Sequence, residues 1–440
     1  EWIMDVLLLF FSAYSILSLP GIASTNSSSE FIVQDFAVIM VIAAIMLFLT
    51  HKLKQSMVIG YLVAGMIIGP YTPPFTLIKE IDTVNIFAEL GIIMLLFVIG
   101  IEFPIAKLKQ IGKISMMVGL TESIGTLIIT FFVAQKLGFT TFDSMFLGLA
   151  MSITSTVVTI KVLEELGKIK ERTSMLILGI LIVEDIVAVS ALAILQSIAV
   201  AATTNTEEIA LFPISISIAI AVVFIGSILV LGSKFIPNLI DKIGKTNDYA
   251  LLLIVILGLA FGLAFIANML GLSVVIGAFL AGVLVAESRT ATVAKVITIP
   301  LRDVFSALFF VSIGALVNVA LIPLYIVPVI ILILTAFTVK LVLVLAILSK
   351  SKFDYTERLK VGLGLAIAKG EMSLVIAKGG QDVGAITSSI LPILSVVTII
   401  TSFATPYVLR FANNLRLSSS SDKINSNNNK IDDKNEDKSK

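Results

Sequence analysis

The chain has 440 residues, 58% of them apolar and 14% charged, with a mean hydropathy of +1.07. Soluble proteins are about 45–50% apolar and about 25% charged, so the polar faces that two or three soluble domains require are missing. Lys and Arg number 31 against 30 Asp and Glu, which leaves no basic footprint for nucleic acid, and the absence of Cys removes disulfides, thiolate metal sites and cysteine nucleophiles. The class that remains is an all-α polytopic membrane protein.

A helix needs about 20 apolar residues to cross a bilayer. That window predicts spans near 33–50, 57–70, 86–101, 114–135, 145–160, 175–200, 211–233, 249–267, 272–286, 304–320, 322–349, 361–378 and 386–409, about thirteen in all. An N-terminal segment, 1–32, contains a further apolar stretch at 3–19. Small residues at Ser18–Ala23 would suit cleavage of a signal, but Glu1 and Asp5 replace the usual positive charges. We therefore expect an extra helix there, with a signal-like segment as the alternative.

Loop charge gives the orientation. The loops after the odd-numbered spans hold nineteen basic residues, including Lys52, Lys107, Lys168, Lys242, Arg289 and Lys352, whereas the loops between them hold three, Lys79, Lys136 and Lys378. The lysine-rich side is read as cytoplasmic, the start as external and the C-terminus as internal. From 417 to 440 the chain turns to Ser, Asn, Asp and Lys without apolar periodicity, and a disordered cytoplasmic tail is expected with no regulatory domain after it. Gly244-Lys245-Thr246 lacks the earlier glycine of a phosphate loop, since Leu239 stands there, and reads as a basic loop.

The transmembrane domain, 33–410, carries an internal repeat. The segment Ser56–Gly65 recurs as Ser273–Gly282 at an offset of 217 with six identities in ten positions, and Leu96–Gly100 is echoed in Phe309–Gly314. The loop charges run the two copies in opposite directions, so repeat one (about 57–200) and repeat two (about 272–409) are inverted, an arrangement common in secondary transporters.

Charge inside the hydrocarbon is costly, so intramembrane ionisable residues mark function. They are Glu122 in span four, Glu184 and Asp185 in span six, Lys340 in span eleven, and Lys369 and Glu371 in span twelve. At about 1.5 Å per residue, Glu184 lies about 15 Å deep, and Lys340 and Lys369–Glu371 reach the same level. The offset also sets Lys340 opposite the Glu122 neighbourhood and Lys369–Glu371 opposite Thr154, Ser155 and Thr156. Gly370 and the hydroxyl run 154–156 both break helical regularity, so crossing discontinuous helices are expected.

Asp185, Glu184, Thr154, Ser155 and Thr156 supply the hard oxygens that alkali cations prefer. Adjacent carboxylates at mid-depth repel, and Lys340 is their counter-charge. A carboxylate that holds either a proton or a cation, but not both, couples the two in opposite directions. Sodium is therefore placed at Asp185 and Glu184, with Lys340 as charge partner. Lys369 and Glu371 are expected to pair and staple the broken helix, and Glu122 is a further candidate. No cofactor is expected.

These residues resemble the cation–proton antiporters of the Kef-type and sodium/proton exchanger branch. The resemblance rests on Val58–Gly65, Leu96–Glu102, Ser152–Thr156, Val183-Glu184-Asp185, Leu308–Gly314 and Gly370–Ser373, in order, and covers about 33–410. It implies that Asp185 binds cation and proton and that Lys340 pairs with Glu184. It also implies a homodimer in the membrane lipid, whose core of spans 4–6 and 11–13 moves against the rest. In the family the residue before the aspartate is often Asp in sodium antiporters and Gln in Kef-type potassium systems. Glu184 keeps the charge of the former, which favours sodium, with lithium or potassium as other cargo.

The expected activity is thus antiport of a monovalent cation against protons in the cytoplasmic membrane, with a Kef-type potassium/proton antiporter as alternative. A passive channel would need a continuous polar pore, which a few charges at one depth do not make. A membrane-embedded enzyme lacks HExxH, GxSxG and any His beyond His51.

Overall fold

The computed structural model describes residues 28–53, 55–72, 77–78, 81–102, 112–203, 223–224, 226–270, 272 and 274–436. The N-terminal segment up to residue 27 and most of the span expected at 211–233 lie outside the described residues. Those described form helices joined by short turns, with no strand among them.

The order is α1 (Ser28–Lys52), α2 (Met57–Ile68), α3 (Ile81–Ile101), α4 (Lys113–Lys136), α5 (Thr141–Ser152), α6 (Thr156–Glu165), α7 (Arg172–Thr203), α8 (Ser233–Gly244), α9 (Tyr249–Met269), α10 (Val274–Ala286), α11 (Ala291–Ala315), α12 (Ile322–Leu348), α13 (Tyr355–Ala366), α14 (Glu371–Asp382) and α15 (Ile390–Glu436). Nine stretches among the described residues are long and apolar enough to cross a bilayer, one of them running through the α5–α6 break; α2 and α10 are shorter apolar helices. The chain is a multi-pass membrane protein. Residues 233–244, expected in a loop, are helical, and α15 continues to Glu436 where an unstructured tail was expected.

Local chemistry sets the ends. Thr140 accepts the Asp143 N–H at 3.1 Å to cap α5, Asp248 accepts the Leu251 N–H to cap α9, and Asp354 with Glu357 forms a reciprocal capping box on α13. Ser155 caps α6 by accepting from the Val158 N–H.

The helices sort into two groups by packing. In the first, α3 lies against α10 and α11, α2 against α1 and α11, and α9 against α10. In the second, α4 packs on α5, α7 and α12, and α13 and α14 pack on α15. The short α6 joins this second group by packing on α7 and α15, so the group holds the helices expected from spans 4–6 and 11–13.

Small residues let the backbones of the first group approach closely, as helix packing in lipid favours. A Cβ on Gly65 would stand 2.0 Å from the Val311 carbonyl oxygen, and one on Gly314 2.2 Å from that of Leu62. In the same way Gly282 meets the Phe97 carbonyl at 2.0 Å and Gly100 that of Phe279 at 2.3 Å. The motif around Gly65 therefore packs on the one ending at Gly314, and the motif around Gly282 on the one ending at Gly100. Each contact joins the first half of the chain to the second.

Candidate functional site

Two helices of the second group are interrupted inside the bundle. Between α5 and α6, Ile153 and Ser155 are extended (ψ 142° and 112°); between α13 and α14 the interruption covers 367–370. The breaks cross in contact. The Ser155 N–H donates to the Ala368 carbonyl at 2.9 Å, and a Cβ on Gly370 would meet Ser155 Oγ at 2.3 Å. Glycine is thus required at 370 by close approach.

Interrupting a helix leaves carbonyls at one end and N–H groups at the other without intrahelical partners. Lys369 Nζ donates to the Met151 and Ile153 carbonyls at 2.7 and 3.0 Å, at the C-terminal end of α5. Glu371 is the first residue of α14, at its N-terminal end, and accepts from Ser155 Oγ at 3.0 Å. Each charge sits at the helix end of opposite partial charge. The expected Lys369–Glu371 ion pair is therefore corrected: freed backbone groups on the crossing partner compete for both side chains, and the lysine goes to carbonyls.

Glu184 and Asp185 come from the middle of α7. Glu184 accepts from the Thr154 N–H and from Thr154 Oγ1 (3.2 Å), and Lys340 Nζ lies 2.9 Å away. Lys340 also donates to Thr154 Oγ1 at 2.7 Å and stands 3.1 Å from Glu122. None of these three charged side chains is exposed. The single Thr154 hydroxyl hydrogen has two acceptors within reach, and the Leu365 carbonyl at 2.7 Å is nearer than Glu184 at 3.2 Å, which ties the cluster to α13. Isolated charges at this depth would be untenable, and mutual pairing around Lys340 is what makes the cluster permissible, although Glu122 Oε2 has no hydrogen-bond partner among the described residues.

Asp185 is disposed differently. Its Oδ2 accepts from Thr156 Oγ1 at 3.0 Å, while Oδ1 is buried and has no hydrogen-bond partner among the described residues. The structure therefore brings all nine predicted residues to the crossing but divides them. Glu184, Lys340, Glu122 and Thr154 form one network centred on the ammonium, in which Glu122 Oε2 is in ion-pair range but not hydrogen-bonded; Asp185 and Thr156, away from that ammonium, present an oxygen still able to accept a cation or a proton; Ser155, Lys369 and Glu371 fasten the breaks.

Other contributors went unrecognised in the sequence. Ser373 Oγ donates to the Ala150 carbonyl at 2.7 Å, Thr401 Oγ1 accepts the Lys369 N–H at 3.1 Å, and Ser402 Oγ donates to the Lys369 carbonyl at 2.9 Å. The hydroxyls at 398, 401, 402 and 405, at helical spacing in the last apolar stretch, were the available signal.

A cavity of about 150 Å³ opens beside the crossing, on the side of the lysine-rich loops. Met57, Leu95, Glu102, Arg302, Asp303 and Phe310 line it from the first group, and Val157 and Glu371 from the second. Glu102 pairs with Lys295 at 2.9 Å at its rim.

Comparison with known proteins agrees with this fold. YbaL of Escherichia coli (strain K12) is 28% identical over 280 residues, which make up 63% of this chain and 50% of YbaL. The high-affinity Na(+)/H(+) antiporter NhaS3 of Synechocystis sp. is 29% identical over 365 residues, covering 81% of this chain and 77% of NhaS3. The chain thus spans half of one relative and about three quarters of the other. The sodium proton antiporter MjNhaP1 from Methanocaldococcus jannaschii, at 17% identity, shares the fold with a TM-score of 0.63 over 86% of this chain and 95% of that one. The family described as "Sodium/hydrogen exchanger, transmembrane" matches residues 37–412, and the chain belongs to it.

Proposed function

We propose that the protein is a secondary antiporter that exchanges a monovalent cation, sodium first, for protons by alternating access in the cytoplasmic membrane, with its C-terminus inside. The observation that carries this reading is the half-engaged Asp185 carboxylate, buried beside two crossing helix breaks with one oxygen held by Thr156 and the other uncommitted. A cation and a proton would compete for that oxygen. Glu184, by contrast, has Oε2 held by the Thr154 N–H and by Lys340, so it shapes the charge around the cargo while Asp185 is its direct ligand.

The acidic cavity supports access from the cytoplasmic side. Glu102 pairs with Lys295 and Asp303 with Arg302, which leaves the Glu371 carboxylate as the excess charge on its walls, and a cleft with an excess of one sign raises the local concentration of counter-ions. The family resemblance adds a homodimer and movement of the second helix group against the first.

Potassium is the second cargo reading, favoured by the K(+) efflux antiporter 5 of Arabidopsis thaliana, 28% identical over 390 residues. Proton flux in proteoliposomes challenged separately with sodium, lithium and potassium tests both. Proton movement with sodium but not potassium supports the first reading; flux under a cation gradient with no counter-movement of protons overturns antiport itself.

A further inference from the structure

Beyond its break, each interrupted helix continues as a short segment carrying one lysine that reaches the other helix group. On α14, Lys378 Nζ donates to Asn85 Oδ1 of α3 at 3.3 Å and to Asp382 at 2.6 Å, and its side chain is only 5% exposed. On α6, Lys161 Nζ donates to the Gln55 carbonyl between α1 and α2 at 3.4 Å, the outer limit of hydrogen-bond reach. Lys161 and Lys378 are 217 residues apart, the same offset that relates the repeated motifs.

The two contacts lie at opposite faces. By loop charge, the ends of α14 and α3 carrying Lys378 and Asn85 are external, and Lys161 and Gln55 are cytoplasmic. At the external face the lysine is buried against the other group. At the cytoplasmic face the groups are parted by the 150 Å³ cavity, whose walls include Val157, one turn before Lys161, and Met57, two residues after Gln55. Gln55 also keeps a buried side-chain oxygen with no partner among the described residues. It therefore has a second acceptor to offer when the gap narrows.

We propose that Lys378 and Lys161 are alternate latches between the two helix groups. Lys378 on Asn85 holds the external face shut while the cytoplasmic cavity is open. Lys161 takes up Gln55 fully when the cytoplasmic face shuts and the Lys378 contact has parted. This rests on the alternating-access reading above, and neither lysine touches the cargo.

The chain contains no Cys, so Val157→Cys gives a single thiol on the cavity wall. Its rate of modification by a polar maleimide, in the purified full chain, reports how much of the population is open to the cytoplasmic side. A hydrogen bond from a charged group is worth about tenfold in an equilibrium. Lys378→Met is therefore expected to slow modification of Val157→Cys by lowering the open-to-closed ratio about tenfold, and adding Lys161→Met to restore it. An unchanged rate in Lys378→Met, or the same slowing from Lys161→Met alone, overturns the proposal.

A second measurement covers misfolding of the Lys378 variant. Asn85→Cys with Lys378→Cys, bridged by a short bis-methanethiosulfonate, should stop exchange in proteoliposomes until reductant is added; exchange at the unbridged rate refutes the latch. Labelling is read without transport. Absent antiport with the labelling shifts intact would thus fail the functional reading and leave the latches standing.

Discussion

The Lys340 ammonium lies 2.9 Å from the Glu184 carboxylate with neither side chain exposed, and Glu122 approaches the same ammonium at 3.1 Å. One cation thus serves two buried acids. Removing one partner of a buried ion pair costs about 3–5 kcal/mol, because the other is left uncompensated. Lys340→Met should destabilise the protein by at least that amount, and the triple variant with Glu122→Gln and Glu184→Gln should recover most of it. Thermal unfolding in detergent checks both; a Lys340→Met variant as stable as wild type would show that the acids do not depend on the lysine.

Asp185→Asn keeps the shape and the Thr156 contact but removes the charge that a cation or proton seeks. Exchange should vanish while unfolding temperature and oligomeric state hold. Thr156→Ala should instead raise the half-saturating cation concentration more than it lowers the maximal rate, since the hydroxyl orients Asp185 Oδ2. Sodium-driven proton flux at the wild-type level in Asp185→Asn would remove Asp185 from the site.

With Glu122 counted, the buried cluster of Glu122, Glu184, Asp185 and Lys340 carries a formal charge of −2 when all four are ionised. Glu184, Asp185 and Lys340 alone would carry −1. Two positive charges are needed for neutrality, so two protons can be given up for one monovalent cation, and turnover then moves net charge. We expect an imposed membrane potential, with no ion gradient, to drive sodium into proteoliposomes. Silence under potential alone would mean one-for-one exchange with Lys340 as a permanent partner.

Gly65 and Gly258 make a contrasting pair. A Cβ at 65 would collide with the Val311 backbone, whereas one at 258 meets nothing within 4 Å. Gly65→Ala should destabilise the protein by about 1–3 kcal/mol through forced separation of α2 and α11. Gly258→Ala should be neutral or stabilising by up to about 1 kcal/mol, because it removes a flexible residue from a helix interior. Equal effects in thermal unfolding would mean that the close contact is not what glycine serves at 65.

Much of this architecture was legible before any coordinates. Apolar runs located the helices because the bilayer imposes their length, and the hydroxyl run 154–156 and Gly370 marked both interruptions. Glu184, Asp185 and Lys340 stood out because charge at that depth is rare. The partners of Lys369 were hidden for a physical reason: they are backbone carbonyls at 151 and 153, and a carbonyl has no sequence signature. Glu122 was visible as a buried acid, but its sharing of Lys340 with Glu184 depends on how α4 and α12 are rotated against each other. Lys378 was read as part of an external loop because the apolar run ends there, whereas the helix carries on to Asp382.

The cavity beside the crossing has walls drawn from both helix groups. A drug-like compound lodged in it would touch Met57 and Arg302 on one side and Val157 and Glu371 on the other, and would act as a wedge. If the two groups move against each other as proposed, closure of that face would be arrested with Asp185 untouched. Such an inhibitor would block when applied from one compartment and do nothing from the other, which gives the molecule a pharmacology with a side.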